Sequence, residues 1–228
     1  MFILQLIFLI YLILLFYNLI ESKKFNETSN INFIKYDKEI IINNLKNLNP
    51  FIVDLTNDIS FHKLINKNKS YMIIDNNNII SLKSFVDDEN LYIYKNKKMF
   101  HDFDLKKEMT LDINDLPNSN LFFPINYSLS LFRGKTFIPL QLASHDYNII
   151  GHLEGDSVIH LFNPKHKNEI INKDNDEIKK WGNKITMKKN NILFIPNNWY
   201  YIQEINEECV QFHIDIDNYF SFIPNFLK

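Results

Sequence analysis

The feature that most constrains the fold is a series of short strand-like segments in the C-terminal half of the chain. From about residue 129 onward, short stretches rich in apolar residues follow one another, and turns rich in Gly, Asn and Pro separate them. The segments read SLSLFRG, TFIPLQLA, YNIIGHLEG, SVIHLFNP, KITMKKNNILFIP, WYYIQEI and CVQFHIDI. Many short strands at regular spacing are typical of a β-sandwich or barrel, so the sequence predicts a mainly β domain.

Mixed elements precede these strands. The stretch YDKEIIINNLKNLNPFIVDL predicts a short helix followed by an extended segment from near Pro50. The stretch SYMIIDNNNIISLKSF predicts a hairpin around an Asn-rich turn, and NLYIYKN predicts a further strand. Between the later strands, the polar stretch KHKNEIINKDNDEIKKWGN predicts a loop with a helical turn. The sequence therefore predicts a small α/β lead-in ahead of the β domain.

The N-terminus is a long apolar stretch, MFILQLIFLIYLILLFYNLI, without a charged side chain. A helix of about 20 residues spans about 30 Å, which matches the hydrocarbon core of a bilayer. The alternative, a buried helix of a soluble protein, is rarely apolar on all sides. Residues 1–20 are therefore predicted to form a transmembrane helix, which makes the chain a single-pass membrane protein.

The flanks of this stretch bear on its processing and orientation. No basic residue precedes it and no small-x-small site follows it, which favours a retained anchor over a cleaved signal peptide. Lys23 and Lys24 follow the span, and the positive-inside tendency then favours a cytosolic C-terminal domain. Sequons at Asn26, Asn68 and Asn126 would instead suit a lumenal domain. The side of the membrane stays open.

The predicted organisation is an anchor over 1–20, a polar tether with a short helix over 21–49, and one domain over 50–228. Arg133 is the single arginine among 25 basic residues, and the formal net charge is −2. Neither property suits phosphate recognition, so no nucleic-acid partner is expected. Cys209 is the single cysteine, which excludes an intramolecular disulfide and zinc sites built from several thiolates. It lies in the strand-like stretch CVQFHIDI and is predicted to be a small buried apolar residue.

The order of the later segments resembles a known family. GHLEGDSVIHLFNP, a polar insert and then NNILFIPNNWYYI resemble the core of the JmjC and cupin-like oxygenases of the asparaginyl-hydroxylase type. Asn148 lies where that family often has an Asn before its Gly turn. The resemblance covers about residues 120–215 and implies a double-stranded β-helix, also called a cupin-like jelly roll. Dimers are common in this family, so a homodimer is a further expectation.

In active members of the family, two histidines and a carboxylate hold iron(II) and leave positions open for oxygen and 2-oxoglutarate. The first two ligands of that family form a His-x-Asp motif. The resemblance places these two positions on Leu142 and Ser144 when they are counted back from the Gly turn. Counted forward from the preceding proline, they fall on Gln141 and Ala143. The third ligand position falls on Tyr201. None of these side chains is a good iron(II) ligand, so the metal site is predicted to be lost.

The cosubstrate position is also changed. The lysine or arginine that commonly holds 2-oxoglutarate, two residues past the Gly, is Ser157 in this chain. The sequence therefore predicts a membrane-anchored domain that has lost oxygenase chemistry, with no cofactor, no catalytic residue and no metal. It would act as a binding or scaffold module for a protein or small molecule whose identity stays open. Gln141, Asn148 and Trp199 are expected to line its pocket.

Two alternatives remain. A divergent iron(II) and 2-oxoglutarate-dependent hydroxylase could draw relocated ligands from His145, Asp146, His152 and His213. Of these, His213 has His-x-Asp spacing with Asp215, but on the last strand of the series. The second alternative is a carbohydrate-binding or structural β-sandwich unrelated to the oxygenases. The strand order distinguishes a β-sandwich from the cupin-like fold. Convergence of two histidines and a carboxylate on one point would support the hydroxylase.

Overall fold

The computed structural model describes residues 2–21, 31–54, 61–68, 70–75, 78–88, 91–107 and 122–218. The helices are α1 Phe2–Glu21, α2 Lys38–Lys46, α3 Phe61–Lys67, α4 Leu82–Asp87, α5 Lys97–Asp102, α6 Lys167–Ile170 and α7 Asn175–Ile178. The strands are β1 Asn32–Lys35, β2 Phe51–Asp54, β3 Met72–Asp75, β4 Asn78–Ser81, β5 Tyr92–Asn96, β6 Phe122–Phe132, β7 Thr136–Leu142, β8 Tyr147–Glu154, β9 Ser157–Phe162, β10 Asn183–Met187, β11 Asn191–Pro196, β12 Tyr200–Ile205 and β13 Cys209–Asn218.

The strands form a large sheet, a small sheet and a separate hairpin. The large sheet has the order β1-β2-β11-β8-β13-β6-β5, the small sheet β10-β9-β12-β7, and β3 pairs with β4. Strands β1 and β2 run parallel, and the other pairs within the described residues are antiparallel. The hairpin predicted from the Asn-rich turn is confirmed by the pairing of β3 with β4.

The last eight strands are arranged as a long hairpin wrapped into two sheets. Strand β6 pairs with β13, β7 with β12, β8 with β11 and β9 with β10, so the first half of the series meets the second half in reverse order. Successive pairs alternate between the two sheets. This is the strand order of a cupin-like jelly roll. The prediction of a mainly β, cupin-like fold is confirmed.

The two faces of the large sheet bury different residues because side chains alternate along a strand. In β13, Phe212 and Ile214 lie in an outer core with Phe85 and Phe100 of the lead-in helices. Between the two sheets, apolar side chains from both form a second core, which we call the inner apolar cluster: Ile52, Ala143, Ile150, Ile159, Leu161, Ile185, Met187, Leu193, Ile195, Trp199 and Tyr201. The domain therefore has three layers, with the lead-in helices on one side.

The lead-in extends the large sheet. Strand β2 pairs with β11, and the rings of Phe51 and Phe194 stack at 4.6 Å. Strand β1 and helix α2 lie within 31–46, part of the stretch predicted as tether and short helix. The Asp37 carboxylate accepts hydrogen bonds from the first turn of α2, and Ile41 is buried. This stretch therefore contributes to the sheet and to the outer core.

The polar insert between β9 and β10 covers the outer face of the small sheet. It holds α6, α7 and short 3-10 turns at Pro164–His166 and Lys179–Trp181. Ile170 and Ile178 are buried there against Phe162 of β9 and Ile202 of β12. The expected helical turn is present, and its apolar residues complete the core on this side.

Helix α1 coincides with the predicted transmembrane stretch. Its described side chains are those of residues 3–17 and 20, and most of them are exposed. No helix in the described part of the chain is long and apolar enough to cross a membrane. The membrane anchor over 1–20 stays a prediction from the sequence.

Candidate functional site

Polar side chains line one part of the space between the two sheets. Strand β13 turns Cys209, Gln211, His213, Asp215 and Asp217 toward this interior, because alternate residues of a strand share a face. Its intervening residues are apolar and belong to the outer core. The interior therefore has a polar side along β13 and an apolar side formed by the inner apolar cluster.

The deep part of the polar side is a connected network. The Gln203 side-chain nitrogen donates to the Ser157 hydroxyl at 2.9 Å, and this hydroxyl lies 3.1 Å from His152 Nε2. The Gln211 side-chain nitrogen lies 3.0 Å from the same His152 nitrogen and 3.4 Å from Cys209 Sγ. His152 Nδ1 lies 3.4 Å from the Gly155 carbonyl oxygen. All these side chains are buried, so the network is shielded from solvent.

A second group of polar side chains lies beside His213. Its Nε2 is 2.9 Å from the Ser130 hydroxyl, which also accepts a hydrogen bond from the Lys95 backbone N–H at 2.9 Å. The Tyr94 ring meets the His213 ring edge-on at 5.6 Å, and the Tyr94 and Tyr201 hydroxyls are 3.4 Å apart. We call the two groups together the inner polar cluster: Tyr94, Ser130, His152, Ser157, Tyr201, Gln203, Gln211 and His213.

Burial keeps the titratable members of this cluster uncharged. It lowers the pKa of His152 to about 4 and that of His213 well below its ordinary value. It raises the pKa of Tyr201 to about 12 and also raises that of Tyr94. Cys209 is buried as the sequence predicted, and burial raises the pKa of its thiol to about 12. At neutral pH the inner polar cluster presents hydrogen-bonding groups without charge.

Charged residues lie at the far end of β13. His145 Nδ1 is 2.8 Å from a carboxylate oxygen of Asp217, and the Asp146 backbone N–H donates to the other oxygen at 3.3 Å. Lys95 pairs with Asp215 at 3.4 Å. Burial lowers the pKa of His145, but the hydrogen bond to Asp217 and the two carboxylate charges outweigh it and raise that pKa. This pair ties the β7–β8 connection to β13.

Strand register decides how the predicted ligand positions are placed. Tyr201 lies opposite Gln141, whereas Tyr200 lies opposite Leu142. Tyr200 belongs to the core on the outer face of the small sheet, so Leu142 shares that outer face and is exposed. Gln141 shares the inward face with Tyr201, and Ala143 is buried in the inner apolar cluster. The resemblance gave two possible pairs of ligand positions. The pair Gln141 and Ala143 shares the inward face with Tyr201, whereas Leu142 lies on the outward face.

The other predicted positions lie in different surroundings. Ser144 is partly exposed in the β7–β8 connection. Ser157 faces the interior within the network described above. The Asn148 amide donates to the His145 carbonyl oxygen at 2.8 Å, and the Gln141 amide donates to its own strand at the Pro139 carbonyl oxygen at 3.2 Å. Asn148 and Gln141 therefore bond mainly to nearby backbone.

Trp199 is fully buried in the inner apolar cluster. Backbone hydrogen bonds tie the turn before it to Ala143: the Ala143 N–H donates to the Trp199 carbonyl and the Asn198 N–H donates to the Ala143 carbonyl, each at 2.8 Å. The aromatic residue after β11 thus packs the interior and closes the end of the small sheet.

The relocated ligands do not converge in the described residues. His152 and His213 face the interior, whereas His145 is paired with Asp217 near the far end of β13. Asp146 approaches this pair through its backbone. Within the ranges that the structure describes, no three His, Cys, Asp or Glu side chains gather as metal ligands.

Gln203 and Gln211 are the main interior residues that the sequence prediction did not single out. A signal for Gln211 is present in CVQFHIDID, where polar residues at alternate positions share a face and apolar residues share the other. Gln203 lies two residues after Tyr201 on β12 and shares its inward face, since the pairing of β12 with β9 is regular there.

Comparisons with known proteins give limited similarity. No protein-family model matches the chain, and no curated protein matches it. Among solved structures, a cupin superfamily protein from Desulfitobacterium hafniense is similar at 12% identity and a TM-score of 0.32, over 42% of this chain and 70% of that one. The cupin-like fold of this chain rests on its own strand order.

Proposed function

We propose that this chain is a cupin-like binding module whose interior holds a small ligand and has lost iron and 2-oxoglutarate chemistry. The observation that carries the proposal is a set of buried polar atoms, Gln203 Oε1, Gln211 Oε1 and His213 Nδ1. Among the described residues, none of these atoms has a hydrogen-bond partner. A buried polar atom without a partner costs about 1–3 kcal/mol, so native proteins usually pair such atoms with a ligand or water.

The residues at the family's ligand positions support the loss of metal chemistry. The resemblance to JmjC oxygenases stays a prediction, but within it the inward positions carry an amide, a methyl group and a phenol at Gln141, Ala143 and Tyr201. Iron(II) in such sites takes two imidazoles and a carboxylate. Ser157 replaces the cosubstrate cation, and its hydroxyl is already shared by His152 and Gln203.

The test is titration of the full chain with iron(II) and 2-oxoglutarate, with metal content and cosubstrate consumption as readouts. A variant that combines Gln141→His, Ala143→Asp and Tyr201→His is the positive control, because it restores the ligand types at positions on one face of the small sheet. We expect no stoichiometric iron binding by the natural sequence and a gain of metal binding by the variant.

The opposite result would establish the alternative function. Tight, stoichiometric iron binding by the natural sequence, with turnover of 2-oxoglutarate, would make it a hydroxylase with relocated ligands. Substitution of His152 and His213 by Asn would then show whether these histidines hold the metal.

Membrane attachment is the second part of the proposed function. The exposed apolar side chains of α1 support it, since exposed apolar patches of this kind usually mark an interaction site. Through this helix the binding module would be held at a membrane as a single-pass protein. The side on which the domain lies, and any homodimer, stay predictions from the sequence.

A further inference from the structure

A backbone carbonyl fixes which nitrogen of His152 carries the proton. The Gly155 carbonyl oxygen lies 3.4 Å from His152 Nδ1, and a carbonyl oxygen can only accept. The proton of the neutral ring therefore lies on Nδ1, and Nε2 is an acceptor. His152 is neutral because burial lowers its pKa to about 4.

This tautomer sets the orientation of the two glutamine amides. His152 Nε2, as an acceptor, receives the Ser157 hydroxyl at 3.1 Å and the Gln211 amide N–H at 3.0 Å. Since the Ser157 hydrogen is used there, its oxygen accepts the Gln203 amide N–H at 2.9 Å. Both amide nitrogens thus point into the network. The carbonyl oxygens of Gln203 and Gln211 are left without donors among the described residues.

A third buried polar atom without a partner among the described residues is His213 Nδ1. The Ser130 hydroxyl oxygen accepts the Lys95 backbone N–H, so its hydrogen is available for His213 Nε2 at 2.9 Å. If the hydroxyl donates, His213 Nε2 accepts and Nδ1 carries the proton; if Nε2 donates to the second lone pair of the hydroxyl oxygen, Nδ1 is an acceptor. The Trp199 indole N–H of the inner apolar cluster is likewise buried without a partner among the described residues. The interior therefore offers two unpaired carbonyl acceptors and one unpaired indole donor, beside the His213 nitrogen.

From this pattern we infer that the ligand is a small uncharged molecule with at least two N–H or O–H donors and one acceptor, such as a polyol or a primary amide. This inference rests on the proposed function and specifies its ligand. Two buried carbonyl oxygens repel an anion, and among the described interior residues a carboxylate would find an unpaired donor only at the Trp199 indole N–H and, in one tautomer, at His213 Nδ1. A dicarboxylate such as 2-oxoglutarate would leave most of its charge uncompensated, which is costly in a buried site.

The test compares two probes with the same carbon skeleton. Succinamide is a neutral diamide with N–H donors and carbonyl acceptors, and succinate is the corresponding dianion. The full chain is kept in detergent because of its exposed apolar helix α1, and its thermal unfolding is followed with each probe. We expect succinamide to raise the Tm by about 3–6 °C at ten times its dissociation constant. Succinate is expected to leave the Tm unchanged.

Variants locate the binding. Gln211→Met and Gln203→Met each remove one unpaired carbonyl oxygen while keeping the side-chain volume, and each should weaken succinamide binding at least tenfold. The variants are studied separately, so a folding defect in one leaves the other as a test. Thr186→Val, on the exposed side of β10, is the matched control and should keep the full response.

The outcomes separate this inference from the proposed function. Binding of succinate without binding of succinamide would overturn the neutral-ligand inference and leave a ligand-binding interior. Failure of both probes, with ordered water paired to the carbonyl oxygens of Gln203 and Gln211 in an experimental structure, would also overturn it. Iron-dependent turnover of 2-oxoglutarate would instead overturn the proposed function itself. Succinamide binding that Gln203→Met and Gln211→Met abolish would support both.

Discussion

At the scale of single residues, burial lowers the pKa of three histidines, and nearby carboxylates reverse this effect at one of them. His152 and His213 are buried among neutral hydrogen-bonding groups, and burial lowers both pKa values. His145 has a carboxylate partner in Asp217, which together with Asp215 raises its pKa despite partial burial. The first two histidines therefore favour the neutral form, and the third favours the protonated form.

These shifts predict how stability depends on pH. In the unfolded chain all three histidines have a pKa near 6.5. Below this pH the histidines of the unfolded chain become protonated, whereas buried His152 and His213 of the folded protein stay neutral. The free energy of unfolding should then fall as the pH drops from about 6.5 toward 4, by about 1.4 kcal/mol per pH unit for each histidine. His145 acts in the opposite direction: its contribution is present below pH 6.5 and is lost as the pH rises through its folded pKa.

Urea unfolding midpoints measured between pH 5 and pH 7 check this prediction. In the His213→Asn variant, the free energy of unfolding should depend on pH about half as steeply, because one of the two histidines that take up a proton on unfolding is removed. Thr186→Val changes an exposed residue of β10 without a titratable group and should leave the slope as it is. Equal slopes in the natural sequence and the His213→Asn variant would contradict the assignment.

At Gly151 the backbone lies so close to the Phe212 ring that there is no room for a larger side chain. A Cβ at this position of β8 would overlap the Phe212 ring, which is buried in the outer core. Gly151→Ala should therefore cost about 1–3 kcal/mol of stability through overpacking. Phe212→Leu should also destabilise, but the double variant should cost less than the sum because the smaller side chain makes room. Strictly additive losses in urea unfolding would show that the two residues do not compete for space.

At the scale of elements, β13 shows how one strand serves two environments. Its apolar residues meet the lead-in helices, while its polar residues face the interior. A shift by one residue would exchange these faces and bury charge in the outer core. Pairing with β6 and β8 on both sides holds this register.

The insert between β9 and β10 is predicted to stabilise the small sheet. Ile178 of α7 is buried against Phe162 and Ile202, so Ile178→Ala should cost about 2–5 kcal/mol of the free energy of unfolding. The neighbouring Glu177→Ala removes an exposed side chain and should change stability by no more than about 0.5 kcal/mol. Chemical unfolding of both variants measures the difference, and equal losses would mean that the insert is not part of the core.

At the scale of the whole molecule, α1 is predicted to act separately from the β domain. Its described side chains are mostly exposed, so deletion of residues 1–21 should change the free energy of unfolding by no more than about 0.5 kcal/mol. The same deletion should release the protein from membranes, as measured by alkaline carbonate extraction. Protease protection of the full chain then gives the side of the domain. A full chain that carbonate extracts completely would contradict the anchor.

Part of this architecture follows from the sequence alone. The alternation in β13 and the turn signals between strands predict a mainly β domain because strand faces and turns are local properties. The Gly at the β8–β9 turn is a local requirement too: Gly155 has φ of +74°, a conformation that other residues adopt at a cost. Cys209 was expected to be buried, and it is.

What the sequence determined was therefore the strands, their alternation and the likeness to a cupin-like jelly roll, since these depend on neighbours in the chain. Tertiary structure decided which face each residue occupies. Counting along the chain placed the first ligand position on either Leu142 or Gln141, a difference of one residue that reverses the face, and only cross-strand pairing shows that Gln141 lies opposite Tyr201. It also joined His145 to Asp217, which lie 72 positions apart, because only the folded sheets bring distant strands into contact.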